Sequence, residues 1–139
     1  MSFKSIAVIG AGTMGSGIAG QIANAGHKVL LLDLTKEATD YALERLKKSD
    51  PPALHSKSSL EKIETGTINA DFAKLAACDW VVEAIVERLD LKRDLYARLE
   101  EIVGPDCIVS SNTSTIPISL LTEGRSRSFQ ERFALTHYF

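Results

Sequence analysis

Three glycines spaced G-x-G-x-x-G, at Gly10, Gly12 and Gly15, follow the apolar run Ile6 to Ile9, after which small and apolar residues resume as far as Gly20. No other feature constrains the fold as tightly. The apolar run reads as a buried strand over residues 4–9, and the stretch after the glycines as a helix over 13–25. A strand that turns directly into a helix needs a residue without a Cβ at the turn. A helix packed close to a sheet needs another in its first turn. The run VLLLD then closes a second strand over residues 28–33, so the first third of the chain has the order strand, helix, strand.

The alternation continues. A helix is expected over 36–47, then a connection over 47–59 marked by paired prolines among Ser and Lys, a short strand near Ile63 and a short helix over 70–77. WVVEAI, residues 80–85, reads as a buried strand, and Leu91, Leu95, Leu99 and Ile102 stripe a helix over 89–103. CIVSS, 107–111, is a further strand, followed by a short helix near 118–122 and a last strand over 133–139. Strands alternating with helices in this way form a parallel sheet with helices on both faces, an α/β, Rossmann-type doubly wound fold, and all 139 residues read as one domain.

Composition narrows the ligands. A formal charge of -2 gives no basic field for nucleic acid or an anionic membrane, and the arginines of GRSRS, 124–128, read as a solvated loop. No apolar run approaches the length of a membrane span, and no signal peptide opens the chain. Cys78 and Cys107 sit in apolar surroundings without metal-site spacing, so they read as buried, reduced thiols in a cytoplasmic setting, with no metal expected. An anionic ligand must therefore be held locally.

The glycine turn supplies such a place. Gly10 permits the tight turn, Gly12 lets backbone approach a pyrophosphate, and Gly15 lets the helix pack close. The N–H groups of Thr13 and Met14, at the positive end of the helix, meet the phosphates. The competing reading is a glycine turn required only for packing. Asp33, ending the second strand 23 residues after Gly10, is placed to accept hydrogen bonds from both adenosine-side ribose hydroxyls and to repel a 2′-phosphate, which favours NAD over NADP. Lys36 nearby would soften that repulsion. The competing reading of Asp33 is a cap on the following helix.

In a doubly wound sheet the ligand crevice lies beyond the carboxyl ends of the strands, at the switch between the first and fourth. GAGTMG, EAIVE, SSNTS and THYF all end strands on that edge. Histidine takes up and releases a proton near neutral pH, as oxidation of an alcohol requires, and His137 stands in the last of these segments. Its competing reading is an ordinary strand histidine. Trp80, His27 and His55 have core or surface readings only.

Together, GAGTMGSGIA, WVVEAIVERLDLK, SSNTS and THYF resemble the NAD-binding domain of the 3-hydroxyacyl-CoA dehydrogenase family of fatty-acid β-oxidation, over nearly the whole chain. GRSRSF further resembles the long bacterial members in which this domain opens a larger protein. The resemblance implies that His137 is the general base for the 3-hydroxyl, and that Ser114 bonds the substrate oxygen and touches the nicotinamide. It also implies that Glu87 and Lys92 contact the nicotinamide-side ribose. A solvated Glu and Lys early in a helix is the competing reading. In the family the His precedes Asn, Pro and a Glu that orients the imidazole, and then a helical substrate domain. The chain ends at Phe139, so the acyl-CoA partner would be held by that further domain, and these residues alone are expected to be inactive. The Pro-Pro connection stands where relatives carry CoA contacts, which are not carried over. A homo-oligomer of the full-length protein is compatible with this reading. Two rivals stay open: an NAD-binding structural or sensor module without turnover, and a dehydrogenase for a smaller hydroxyacid or sugar acid.

Overall fold

A computed structural model describes residues 3–49 and 52–137. Its centre is one sheet of six parallel strands: β1 (Ile6–Ile9), β2 (Val29–Asp33), β3 (Ile63–Thr67), β4 (Trp80–Glu83), β5 (Ile108–Ser111) and β6 (Phe133–Leu135). Their spatial order is β3-β2-β1-β4-β5-β6. The order reverses at β1, which pairs with β2 on one side and β4 on the other, with Ile6 opposite both Val29 and Trp80. This is the expected doubly wound arrangement and the expected switch point.

The inner strands β1, β2 and β4 are apolar except at their carboxyl ends because both faces of the sheet are covered there, whereas the edge strand β3, IETGT, is largely polar. Successive side chains alternate between two cores. Ile6, Val8, Val29, Leu31 and Val82 point to the face covered by α1 (Thr13–Asn24) and α2 (Lys36–Lys48), where Ile18, Ala19, Ile22, Ala42 and Leu46 meet them. Ala7, Ile9, Leu30, Leu32, Val81 and Val109 point to the other face. There they meet Leu95, Tyr96 and Leu99 of α5 (Leu89–Ile102), with Leu75, Leu121, Phe129 and Phe133. Full burial of each large aliphatic side chain contributes about 1.5–3 kcal/mol, so both layers are needed to hold the sheet.

Several expectations are sharpened or corrected. The strand near Ile63 is a full five-residue edge strand paired with β2. The helix expected over 70–77 is one α-turn, α4 (Ile68–Asp71), running into a 3-10 helix (Phe72–Ala77). Part of the Pro-Pro connection folds as α3 (Lys57–Glu61), while Asp50 and Pro51 within it lie outside the described residues. α6 (Ile118–Leu121) is as expected.

GRSRS is not simply a solvated loop, since Ser126 caps α7 (Arg127–Glu131) by accepting from the Phe129 N–H, and Arg125 pairs with Glu100 at 3.2 Å. Phe129, on that helix, is buried beside Tyr96. The last strand stops at Leu135, and of its expected continuation Tyr138 and Phe139 lie outside the described residues. The stripe on α5 is also shifted: Leu91 is exposed, and the buried face is Lys92, Leu95, Tyr96 and Leu99, spaced i, i+3, i+4, i+7.

Cys78 and Cys107 are buried free thiols, as expected. Burial pushes both thiol pKa values up, that of Cys107 to about 11, which keeps them protonated and unreactive. Among the described residues, no helix is long and apolar enough to cross a membrane.

Candidate functional site

Hydrogen bonds continue past the strand ends and bring the crevice segments side by side. The Gly10 N–H donates to the Leu32 carbonyl (2.8 Å), Ala84 to Ile9 (2.8 Å), Asn112 to Glu83 (3.0 Å) and Thr136 to Ser111 (2.9 Å). Each connecting segment therefore leaves the sheet at the same level. Two cavities open along this edge, of about 440 and 430 Å³, and they meet at Ala84 and Ile85 where β4 ends.

The cavity on the β2 side is lined by Gly10, Gly12, Asp33, Leu34, Ile68 and Leu91, among others. The three glycines differ in what they do there. Gly10 has φ +109°, and a Cβ on it would come within 2.4 Å of the Ala84 carbonyl oxygen. A Cβ on Gly15 would lie 1.6 Å from the Gly10 carbonyl oxygen. Both are demanded by the fold. Gly12 has ordinary φ, and a Cβ there would have no neighbour within 4 Å. Packing does not require it, so the purely structural reading fails at Gly12, where open space faces the helix end.

The first bond of α1 that turns back within the helix is from Ser16 N–H to the Gly12 carbonyl (2.9 Å). The N–H groups of Thr13 and Met14 precede it and lie at the exposed helix end. A pyrophosphate fits this cradle: open backbone, free donors and the positive end of a twelve-residue helix.

Asp33 is not a helix cap. Thr35 caps α2, accepting from the Ala38 N–H at 3.2 Å. The Asp33 carboxylate instead accepts from the N–H of Ala11 (2.7 Å) and of Leu34 (2.6 Å), tying the glycine turn to the end of β2. Each carboxylate oxygen carries one of these bonds and retains further acceptor capacity, and Asp33 lines the cavity. Lys36 is turned to Asp40, 2.9 Å away on the surface of α2, so its charge is partly neutralised. Arg45, given no role from sequence, donates to the Ala11 carbonyl (3.2 Å) and Ser16 Oγ (3.1 Å) and braces the turn from behind.

The second cavity is lined by Met14, Ala84, Ile85, Glu87, Asn112, Ser114 and His137. Three of the four residues expected on this side thus share one space with Met14 from the turn, and Lys92 stands behind them. His137 is exposed, and the residue before it is anchored on β5 through Thr136. Glu87 accepts from Thr113 Oγ1 (2.6 Å) and from the Ser114 N–H (3.4 Å). Burial alone would raise the Glu87 pKa, but the Thr113 hydroxyl and the Lys92 charge outweigh it and hold the carboxyl below the usual range.

Lys92 is not a solvated residue early in a helix. It is 1% exposed, with Nζ 2.5 Å from Glu83 and 3.5 Å from Glu87. Glu83 is wholly buried and also accepts from Tyr96 Oη, from Ser111 Oγ (2.6 Å) and from the Ile85 N–H (2.9 Å). Burial and the neighbouring Glu83 charge push the Tyr96 phenol pKa far up, so it remains a donor. Sequence reasoning gave Glu83 and Tyr96 no role. The available signal was a Glu inside an apolar strand and a Lys and Tyr four residues apart on the buried face of the next helix.

Residues 5–139 match the family model described as 3-hydroxyacyl-CoA dehydrogenase, NAD binding domain. A Deinococcus radiodurans protein named "Probable 3-hydroxyacyl-CoA dehydrogenase" is 45% identical over 100% of this chain and 42% of its own length. The crystal structure of 3-hydroxybutyryl-CoA dehydrogenase from Escherichia coli K12 aligns with a TM-score of 0.85 at 34% identity, over 100% of this chain and 30% of that one. That of (S)-3-hydroxybutyryl-CoA dehydrogenase from Ralstonia eutropha gives 0.81 at 34% identity, over 99% and 50%. The chain spans half or less of the length of these relatives. It belongs to the NAD-binding domain family of the 3-hydroxyacyl-CoA dehydrogenases.

Proposed function

We propose that these residues form the cofactor-binding part of an enzyme that oxidises the 3-hydroxyl of a 3-hydroxyacyl-CoA, as in fatty-acid β-oxidation. The observation that carries the reading is the grouping of His137, Ser114 and Glu87 around one cavity adjoining the glycine turn. A pure binder needs the turn and Asp33 but has no use for an imidazole and a hydroxyl at the far end. Bound NAD supplies a hydride acceptor. The donors of Thr13 and Met14 hold the pyrophosphate over Gly12. Asp33 takes the adenosine-side ribose hydroxyls and disfavours a 2′-phosphate. Glu87, with Lys92 behind it, takes the second ribose.

Ser114 then orients the substrate oxygen, and His137 accepts the hydroxyl proton as the hydride leaves the same carbon, so one alcohol becomes one carbonyl. The thioester is positioned by the remainder of the longer protein, which acts in the cytoplasm and is compatible with a homo-oligomer.

The test is steady-state NADH oxidation with acetoacetyl-CoA, comparing the 139-residue chain with the protein at the full length of its relatives. The shorter chain should fall at least roughly a thousandfold below the longer one, because positioning effects amount to several kcal/mol. In the longer protein His137→Gln should remove most activity and leave NADH affinity in place. A fully active His137→Gln enzyme would assign the base to another residue, and a fully active short chain would mean that the catalytic parts are misplaced.

A further inference from the structure

The Glu83 carboxylate lines neither cavity, yet among the described residues it accepts from four donors. Its four donors come from three places: the Ile85 N–H just after β4, Lys92 and Tyr96 on α5, and Ser111 on β5. A fully buried carboxylate is costly unless paired and fully bonded, and a buried Lys carries the same cost. Together they satisfy each other, but an apolar pair would satisfy the core as well or better. What an apolar pair could not do is reach outward.

The bonds do reach outward, along two branches. Lys92, fixed by Glu83, lies 3.5 Å from Glu87 on one wall of the crevice. Ser111, also fixed by Glu83, accepts at Oγ from the Thr113 N–H (3.2 Å). The branches converge where Thr113 Oγ1 donates to Glu87 (2.6 Å) and the Ser114 N–H does so at 3.4 Å. Thr113 Oγ1 also accepts from the Ile116 N–H at 3.2 Å, holding the turn after β5. Both walls of the His137 side are thus referred back to one buried group. On the Asp33 side the glycine turn is held by Asp33 and Arg45 instead, and among the described residues no hydrogen bond joins that turn to this network, although Ile85, whose N–H donates to Glu83, borders both cavities.

We infer that Glu83 is a positioning residue for the nicotinamide side alone: through Lys92 and Ser111 it sets Glu87 and the Thr113–Ser114 turn in the geometry that receives the second ribose and the nicotinamide. This rests on the proposed placement of the cofactor halves. A structural role alone would affect both halves equally, and the inference requires that it affect one.

The experiment is calorimetry of the 139-residue chain with NADH and, separately, with ADP, which carries the adenosine and pyrophosphate but neither the second ribose nor the nicotinamide. Glu83→Gln should weaken NADH about tenfold to a hundredfold, the range of one lost hydrogen bond to a charged group, and leave ADP unchanged. Should Glu83→Gln fail to fold, Thr113→Val, beyond the buried pair, should give the same split to a smaller extent, and Thr113→Ser should restore NADH affinity by restoring the hydroxyl. NADH and ADP weakening together in a folded variant, or NADH unaffected, would overturn the inference. A wild-type chain that binds NADH no more tightly than ADP would instead overturn the placement of the nicotinamide side.

Discussion

The two halves of the crevice are built in opposite ways. The Asp33 side has its glycine turn over Gly10 to Gly15 and the carboxylate at the end of the next strand within 24 residues, with Ile68 and Leu91 closing the cavity from farther along the chain. Its specificity lies in what is missing, a Cβ at Gly12, and in N–H groups that every residue carries. The His137 side is made of side chains from three distant segments, held by a buried ion pair that the first half does without. Backbone sites tolerate variation in side chains and fail when a Cβ is added. Side-chain sites fail when one bonded partner is removed.

The sharpest way to break the comparison is within the glycine turn itself. Gly15→Ala places a Cβ 1.6 Å from a carbonyl oxygen and should cost more than about 4 kcal/mol, enough to leave little folded chain in thermal unfolding. Gly12→Val meets no protein atom within 4 Å of its new Cβ, so melting should be near wild type while NADH binding is lost. Equal destabilisation by both would return the turn to a packing role. Next in size, Lys92→Met leaves Glu83 buried without its cation and should cost about 3–5 kcal/mol in urea unfolding. A loss under about 1 kcal/mol would mean that the pair is open to water.

Asp33→Ala removes the acceptor of the Ala11 N–H as well as the charge proposed to face a 2′-phosphate. NADH binding should weaken by about 1–3 kcal/mol and NADPH should gain relative to it. Continued exclusion of NADPH would place the discrimination elsewhere. The smallest effect concerns acid. Because the folded Glu87 carboxyl titrates below its unfolded value, its stabilising contribution is full above the usual carboxylate range and is lost as pH falls through the depressed value. The stability advantage of wild type over Glu87→Gln should shrink over that window. It will be slight, since the side chain is 41% exposed and water screens it. An advantage that grew on acidification would have the wrong sign.

The same contrast decides what could be read from the sequence. The alternation of elements, the switch point at β1 and the glycine turn were legible because each depends on local pattern. The pattern puts Asp33 at the end of the second strand, where the structure has it, and its capping alternative falls only to the Thr35 cap. On the other side the segments EAIVE, SSNTS and THYF were found, because polar residues at the ends of apolar strands stand out. The Glu83 network was not found, because Lys92 and Tyr96 become buried partners of Glu83 only once α5 docks on the sheet. A leucine at 91 looked like core by spacing, yet the helix is rotated so that Lys92 faces inward instead. The short helix α7 was hidden by arginines, one of which pairs with Glu100 on a helix far away in sequence.

The proposed site holds one dinucleotide across the end of β4, with its adenosine at Asp33 and its nicotinamide at Ser114 and His137. A crystal structure of the chain with NADH tests it directly. Pyrophosphate density is expected over Gly12 against the Thr13 and Met14 N–H groups, and nicotinamide density in the cavity lined by Ser114, Glu87 and His137. Pyrophosphate away from Gly12, or a nicotinamide outside that cavity, would contradict it.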